Sequence, residues 1–273
     1  MTTCIFTVIK NEHLYLDEWI RYHLKLGVQH IFLLEDFDSK THKEITDKYP
    51  DSVTLLSVSE ILAIRNVKLY KDKDINMQRP YTVSSICYIK NNFNYDWCFI
   101  IDADEFLTLE NSGDTLENVM NQYASYDVVV LQWETYGANG LKYTPDYSKT
   151  TIIDTFTKKC SLPHGPLADT KVCYKLDYFN NSNYYNQHIV KSTDNWCKTD
   201  FSKSKEPIYK NIYIRHYLTK SWEEYFIKTK IRGTFTKNLR TYDGFFEMNP
   251  DMLPQKDELI REFEQKYKIP PVR

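Results

Sequence analysis

The chain has 273 residues, 42% hydrophobic and 26% charged, with 35 Lys and Arg against 37 Asp and Glu and a formal net charge of -2. That length can bury the core of one large α/β domain with a tail. The balanced charge excludes a global field that recruits nucleic acid or an anionic membrane, so any anion must be gripped locally.

Six cysteines (Cys4, Cys87, Cys98, Cys160, Cys173, Cys197) form no CxxC pair and read as reduced core thiols of a cytosolic protein rather than a disulfide framework. The start, MTTCIFTVIKNE, has no charged segment followed by a long apolar one, and no run approaches transmembrane length, so a soluble protein is expected. The 22 Tyr and 14 Phe offer aromatic platforms, although the Tyr-, Asn- and Lys-rich composition also suits an AT-rich genome.

In chain order, Cys4 to Ile9 predicts a short apolar strand running into Lys10-Asn11-Glu12, with Asn11 capping the helix that follows. In that helix Leu16, Trp19, Ile20, His23, Leu24 and Gly27 recur at helical spacing. A second buried strand, His30 to Leu34, stops at Glu35-Asp36-Phe37-Asp38. A helix over Thr41 to Tyr49, a strand over Val53 to Val58 and a helix over Pro80 to Asn91 continue a βαβ alternation.

The segment Trp97 to Phe106, WCFIIDADEF, is the centre of the pattern. Its continuous apolar run predicts a strand buried on both faces, and the run stops at Asp102, Asp104 and Glu105. In an extended chain Asp102 and Asp104 share a face while Glu105 turns aside. Two like charges so close repel unless something positive lies between them. Hard oxygen ligands at the carboxyl end of a buried strand suit Mg²⁺ or Mn²⁺. The alternative is a solvated acidic turn between two strands.

Asp127 to Trp133 predicts another buried strand beside the first, with Glu134 opening a loop to Gly140. From about 141 to 210 short β-like stretches, Thr151 to Phe156 and Val172 to Leu176, alternate with Pro-, Asn- and Ser-rich connections of the kind that carry specificity. Ile212 to Tyr217 returns as a strand, Ser221 to Glu224 has the spacing of a capping box, and Lys256 to Lys268 is a charged amphipathic helix.

The seven glycines form neither GxGxxG nor a phosphate-binding loop, which disfavours dinucleotide oxidoreductases and P-loop kinases. Phosphate handling then falls to metal and basic side chains. Between Arg215 and Arg240 seven Lys and Arg stand against Glu223 and Glu224, either a solvated face or a diphosphate clamp.

KNE after the first strand, EWIRYHLKLGV, the acids closing the second strand, DADEF, Trp133 with Gly137, and HYLTKSWEEYFIKTKIRG together resemble the bacterial family 2 glycosyltransferases of the KNE/DxDEF type, related to the family 92 enzymes. The resemblance spans roughly residues 3 to 235. It implies a GT-A fold, α/β with a Rossmann-like, mostly parallel central sheet flanked by helices. The expected limits are 1–248 for that domain, with a nucleotide-binding half to about 110 and an acceptor-binding half to 248, and a helical tail over 249–273.

Carried over by position, Val8, Lys10, Asn11 and Glu12 line the base and ribose pocket, Asp36 closes it, and Gln78 or Arg79 approaches the nucleotide. Asp102 and Ala103 face the donor, and Asp102 and Asp104 hold the metal. His216 completes the metal site or contacts the diphosphate, with His188 as its competitor, while Lys220 and Arg232 bring cations to the donor phosphates. Trp133, Tyr136 and His188 face the acceptor. Glu134 is the candidate base, with Asp169 and Asp243 next in line. The sequence departs from the pattern at Lys10 (often aromatic), Phe37 (usually Asn), Tyr136 (Phe in W-x-x-F-G) and Thr155 (often Arg).

The expected activity is metal-dependent transfer of a hexose from a nucleoside-diphosphate sugar, a UDP-sugar first, to a glycan or lipid-linked saccharide, with inversion. The expected location is the cytoplasm, free or at the inner face of the membrane, with no nucleic-acid partner. The alternatives are a phosphatase of the haloacid-dehalogenase type using Asp102 as nucleophile, or a non-catalytic carbohydrate-binding protein. The phosphatase motif usually continues with Thr or Val on a first strand, whereas Glu105-Phe106 follows here, well into the βαβ series.

Overall fold

The computed structural model describes residues 1–36, 39–65, 78–160, 170–179, 193–200, 202–203, 208–231 and 241–269, with the backbone alone at 62–65 and 78–80. The elements are β1 (Thr3–Ile9), α1 (Leu16–Leu26), β2 (His30–Glu35), α2 (Lys43–Thr46), β3 (Val53–Ser57), α3 (Val58–Arg65), α4 (Gln78–Asn92), β4 (Trp97–Ile100), β5 (Glu105–Leu109), α5 (Leu116–Asn121) and β6 (Val128–Thr135). There follow α6 (Ile152–Thr155), β7 (Thr170–Lys175), β8 (Trp196–Lys198), β9 (Ile212–His216), α7 (Trp222–Phe226) with a π-helical turn at Ile227–Ile231, α8 (Tyr242–Met248), a 3-10 turn at Pro250–Gln255 and α9 (Lys256–Lys266).

Among the described residues the strands form one nine-stranded sheet in the order β3-β2-β1-β4-β7-β6-β9-β5, with β8 paired to β6. The first four are mutually parallel, in register Phe6 to Phe32, Phe32 to Thr54 and Phe6 to Ile100. β7 then runs antiparallel to both β4 and β6. This is the α/β class expected from the sequence, a Rossmann-like parallel half continued by a reversed strand. Its parallel strands are apolar throughout because helices or loops cover both faces, and Phe6, Phe32, Leu34, Ile86, Ile89 and Ile100 share one core cluster.

The apolar stripe of α1 buries Leu16, Trp19, Ile20 and His23, as its spacing predicted. Gly27 ends the helix at φ 108, a left-handed conformation in which its N–H and that of Val28 satisfy the last carbonyls. Asn11 does not cap α1. It turns the chain at φ 52 and binds Ser39 and Lys40 instead, while Tyr15 occupies the cap position. Asp17 and Glu18 in the first turn suit the positive end of the helix dipole without a side-chain cap.

Three further expectations change. α2 is shorter than Thr41 to Tyr49. Thr151 to Phe156 is helical, because the Thr151 hydroxyl accepts from the Asp154 N–H and outweighs the β-branched composition. β6 extends through Glu134 and Thr135, and β7 lies between it and β4, so the two strands are not neighbours.

The chain divides into two compact units, Met1–Glu134 with Gly165–Arg215, and Thr135–His164 with His216–Arg273. The nucleotide-binding and acceptor-binding halves expected above are divisions by function and stay a proposal. The second unit has its own aromatic core of Trp222, Phe226, Phe245, Phe246, Leu259 and Phe263, so α9 supplies core side chains. The capping box at Ser221 and Glu224 is present as the spacing predicted.

Candidate functional site

In the first unit, β1 and β2 end beside each other, and their last residues form a polar network. Lys10 Nζ lies 3.1 Å from Asp36 Oδ2. The Glu12 N–H donates to His42 Nε2 at 2.9 Å, which leaves the proton on Nδ1 to donate to Glu35 Oε1 at 2.9 Å. Burial lowers the His42 pKa, and the bond to Glu35 opposes that shift. The Tyr15 hydroxyl donates to Glu12 Oε2, and Asp36 acts electrostatically on Tyr81 of α4. His42, Glu35, Tyr15 and Tyr81 were not singled out in the sequence. Only their helix and strand positions were readable, since the bonds join segments about thirty residues apart.

The acidic segment does not continue as an extended strand. After Ile101 the backbone turns, the Glu105 N–H reaches the Asp102 carbonyl at 3.0 Å, and β5 begins. The alternation that would put Asp102 and Asp104 on one face therefore does not apply. Glu105, expected to turn aside, is fully buried, and its Oε2 accepts from the Asp102 N–H at 2.9 Å. The positive group that the crowded acids require is Lys171 of β7. Its buried Nζ lies 2.8 Å from Asp102 Oδ2 and 3.6 Å from Glu105 Oε1, and 5.9 Å from the Trp133 ring centre.

Burial by itself would lower the Lys171 pKa, but Asp102 and Glu105 outweigh it and hold the ammonium above its ordinary value. Burial pushes the Glu105 carboxyl well up, with Lys171 opposing and Asp102 and Asp104 adding to the rise. Lys171 thus stays charged against Asp102, and Glu105 is the acid driven toward protonation. The sequence carried one signal for this residue, a lysine at the head of an apolar strand in a chain whose acidic turn needs a cation. The strand was read from Val172, one residue too late.

Helix α1 fixes the chain that follows the turn. Trp19 Nε1 donates to the Glu105 carbonyl at 2.7 Å and the Tyr22 hydroxyl to the Leu107 carbonyl at 2.7 Å. The Leu107 N–H donates to His23 Nε2 at 3.1 Å, so His23 carries its proton on Nδ1, 2.8 Å from the Trp19 carbonyl. Burial lowers the His23 pKa to about 3 against the bond to Trp19, which keeps the ring neutral.

The remaining expected residues fall as follows. Val8 is half-buried in β1, Ala103 and Asp104 are buried in the turn, and Trp133 and Glu134 are half-buried in β6. Tyr136, His216 and Lys220 belong to the second unit. There the Tyr136 N–H donates to the His216 carbonyl at 2.9 Å, and the Tyr136 ring stacks on Tyr217 at 5.1 Å. Lys220 is buried at φ 50, and Asp243 is paired with Lys256. Gln78 and Arg79 begin α4. Their side chains, and His188, Arg232, Asp169 and Phe37, lie outside the described residues.

Among the described residues no group of three or more His, Cys, Asp and Glu is gathered as a metal site. Asp102 and Asp104 nevertheless supply the hard carboxylate oxygens that Mg²⁺ or Mn²⁺ takes when substrate oxygens complete its shell. The negative charge that raises Glu105 is what a divalent ion relieves, so this donor set fits one. No described helix is long and apolar enough to cross a membrane.

The sequence profile of glycosyltransferase family 92 matches residues 1–266. A family 92 protein of Ricinus communis is 27% identical over 145 residues, 52% of this chain and 24% of that protein. Another from Arabidopsis thaliana is 25% identical over 157 residues, 54% of this chain and 25% of that protein. The matched stretch thus spans about a quarter of the length of these curated relatives. HddC from Yersinia pseudotuberculosis superposes over 83% of this chain and 97% of its own, with a TM-score of 0.42 and 9% identity. The profile match runs from the first strand through the last helix, and the chain belongs to glycosyltransferase family 92.

Proposed function

We propose that this chain is a metal-dependent glycosyltransferase that moves a hexose from a nucleoside-diphosphate sugar, a UDP-sugar first, to a glycan or lipid-linked saccharide, with inversion. One observation carries the reading. Three parallel strands, β2, β1 and β4, end together, and their carboxyl ends present the pair of Lys10 and Asp36 and the turn of Asp102 and Asp104. Ligands of open α/β sheets bind at that edge. Membership of family 92 supports the same reaction class.

In this reading Lys10, Asn11, Glu12 and Asp36 hold the base and ribose, with His42 and Tyr15 fixing Glu12. Asp102 and Asp104 hold Mg²⁺ or Mn²⁺, which when bound offsets charge growing on the leaving diphosphate. Trp133 offers a ring to the acceptor, and Glu134 on the same strand takes the proton of the attacking hydroxyl.

Titrating a panel of nucleoside-diphosphate sugars by calorimetry, with Mn²⁺ and with EDTA, tests donor and metal together. Binding of one UDP-sugar only with Mn²⁺ is the expected result, and full transfer in excess EDTA would remove the metal from the mechanism. Turnover of an aryl phosphate with Mg²⁺, without binding of any nucleoside diphosphate, would replace the reading by a phosphatase.

A further inference from the structure

We propose that Lys171 is the resident cation of the acidic turn, a positioning residue that holds Asp102 and Glu105 while no divalent ion is bound and shares Asp102 with that ion when it arrives. The inference deepens the reading above and rests on its metal at Asp102 and Asp104.

The geometry is specific. β7 runs antiparallel to β4 with Val172 opposite Ile100, so Lys171 stands just beyond the end of β4, against the turn itself. Its ammonium reaches Asp102 Oδ2 at 2.8 Å and Glu105 Oε1 at 3.6 Å from a side chain with no exposure. The two acids are also tied to each other, Glu105 N–H to the Asp102 carbonyl and Asp102 N–H to Glu105 Oε2. One ammonium therefore fixes both ends of a closed turn.

The two acids differ in access. The Asp102 side chain is 40% exposed and that of Glu105 is wholly buried. An incoming ion can meet Asp102, while Glu105 stays with Lys171. A lysine placed only to fill the core would meet apolar neighbours, because an ammonium removed from water without a counter-charge is strongly destabilising. A lysine placed as counter-ion leaves a testable trace, since a second cation at the turn replaces part of what its removal takes away.

The test measures melting temperature in EDTA and over a MnCl2 titration, with Mn²⁺ affinity by calorimetry, for the parent, Lys171→Met and Lys171→Arg. In EDTA the Met variant is expected to melt about 5–10 °C below the parent, as for a buried ion pair stripped of one partner in a domain of this size. Mn²⁺ should then raise its melting temperature by more than it raises that of the parent, with the Arg variant between the two. If the Met variant does not fold in EDTA, folding in millimolar MnCl2 is the expected result, and failure in both conditions overturns the proposal. An unchanged melting temperature in EDTA overturns it, as does a loss that Mn²⁺ does not recover in a variant of a parent that binds Mn²⁺. A parent that binds no Mn²⁺ overturns the metal reading and this proposal together, and the parent titration alone reports that case.

Discussion

His23 is a neutral imidazole sealed between α1 and β5, and acid should reveal it. It has no exposed surface, and its folded pKa of about 3 lies below the ordinary value of 6.5. As pH falls through 6.5 the unfolded chain takes up a proton that the folded chain refuses. The stabilisation is therefore complete above pH 6.5 and declines by about 1.4 kcal/mol per pH unit until the folded pKa is reached. Between pH 7.5 and 5.0 this removes about 2 kcal/mol, and the whole window is worth roughly 5 kcal/mol at most. Urea unfolding followed by tryptophan fluorescence at both pH values measures it.

His30 and His42 are also held below their ordinary values by burial, so the comparison is with His23→Gln, which keeps their contributions and loses this one. The parent should lose about 2 kcal/mol more than the variant between the two pH values. Equal losses in both proteins, or an NMR titration of the His23 ring near 6.5 in the folded parent, would refute the reasoning. The consequence reaches the acidic turn, because His23 accepts the N–H of Leu107 three residues after Asp104.

Asp104→Asn should abolish transfer while leaving the melting temperature within a few degrees of the parent, as measured by a donor-consumption assay beside a thermal melt. Glu134→Gln should lower kcat at least a hundredfold with little change in donor binding, the size expected for loss of a general base; near-normal turnover would assign the proton to another acid. Gly137→Ala should destabilise the second unit by about 1–3 kcal/mol in urea, because the added methyl would sit 2.7 Å from Asn249 Oδ1, which accepts the Ala138 N–H. Glu223 accepts from Lys266, Tyr267 and the Thr144 N–H, which against the opposing effect of burial lower its pKa to about 2. Its stabilisation is complete above its unfolded pKa of about 4.5 and is lost as pH falls toward 2, so Glu223→Gln should flatten stability over that window and cost roughly 2 kcal/mol at pH 7.

What the sequence determined is what depends on neighbours along the chain. Uninterrupted apolar runs set β1, β2, β4 and β6, helical spacing set α1, and the Ser221 to Glu224 spacing set the start of α7. The turn at Asp102 and Asp104 was found for the same reason, since an apolar strand that stops at acids is a local signal. What the tertiary structure alone decided is which distant groups answer those signals. β7 inserts between β4 and β6 and carries Lys171 to the acids sixty-nine residues away in sequence. His42 reaches Glu12, and Trp19, Tyr22 and His23 reach β5, across similar gaps. Charge balance and hydrogen bonding require that each buried polar group find a partner, but they do not name it. That choice follows from strand order and direction, which the periodicity of any one segment does not encode.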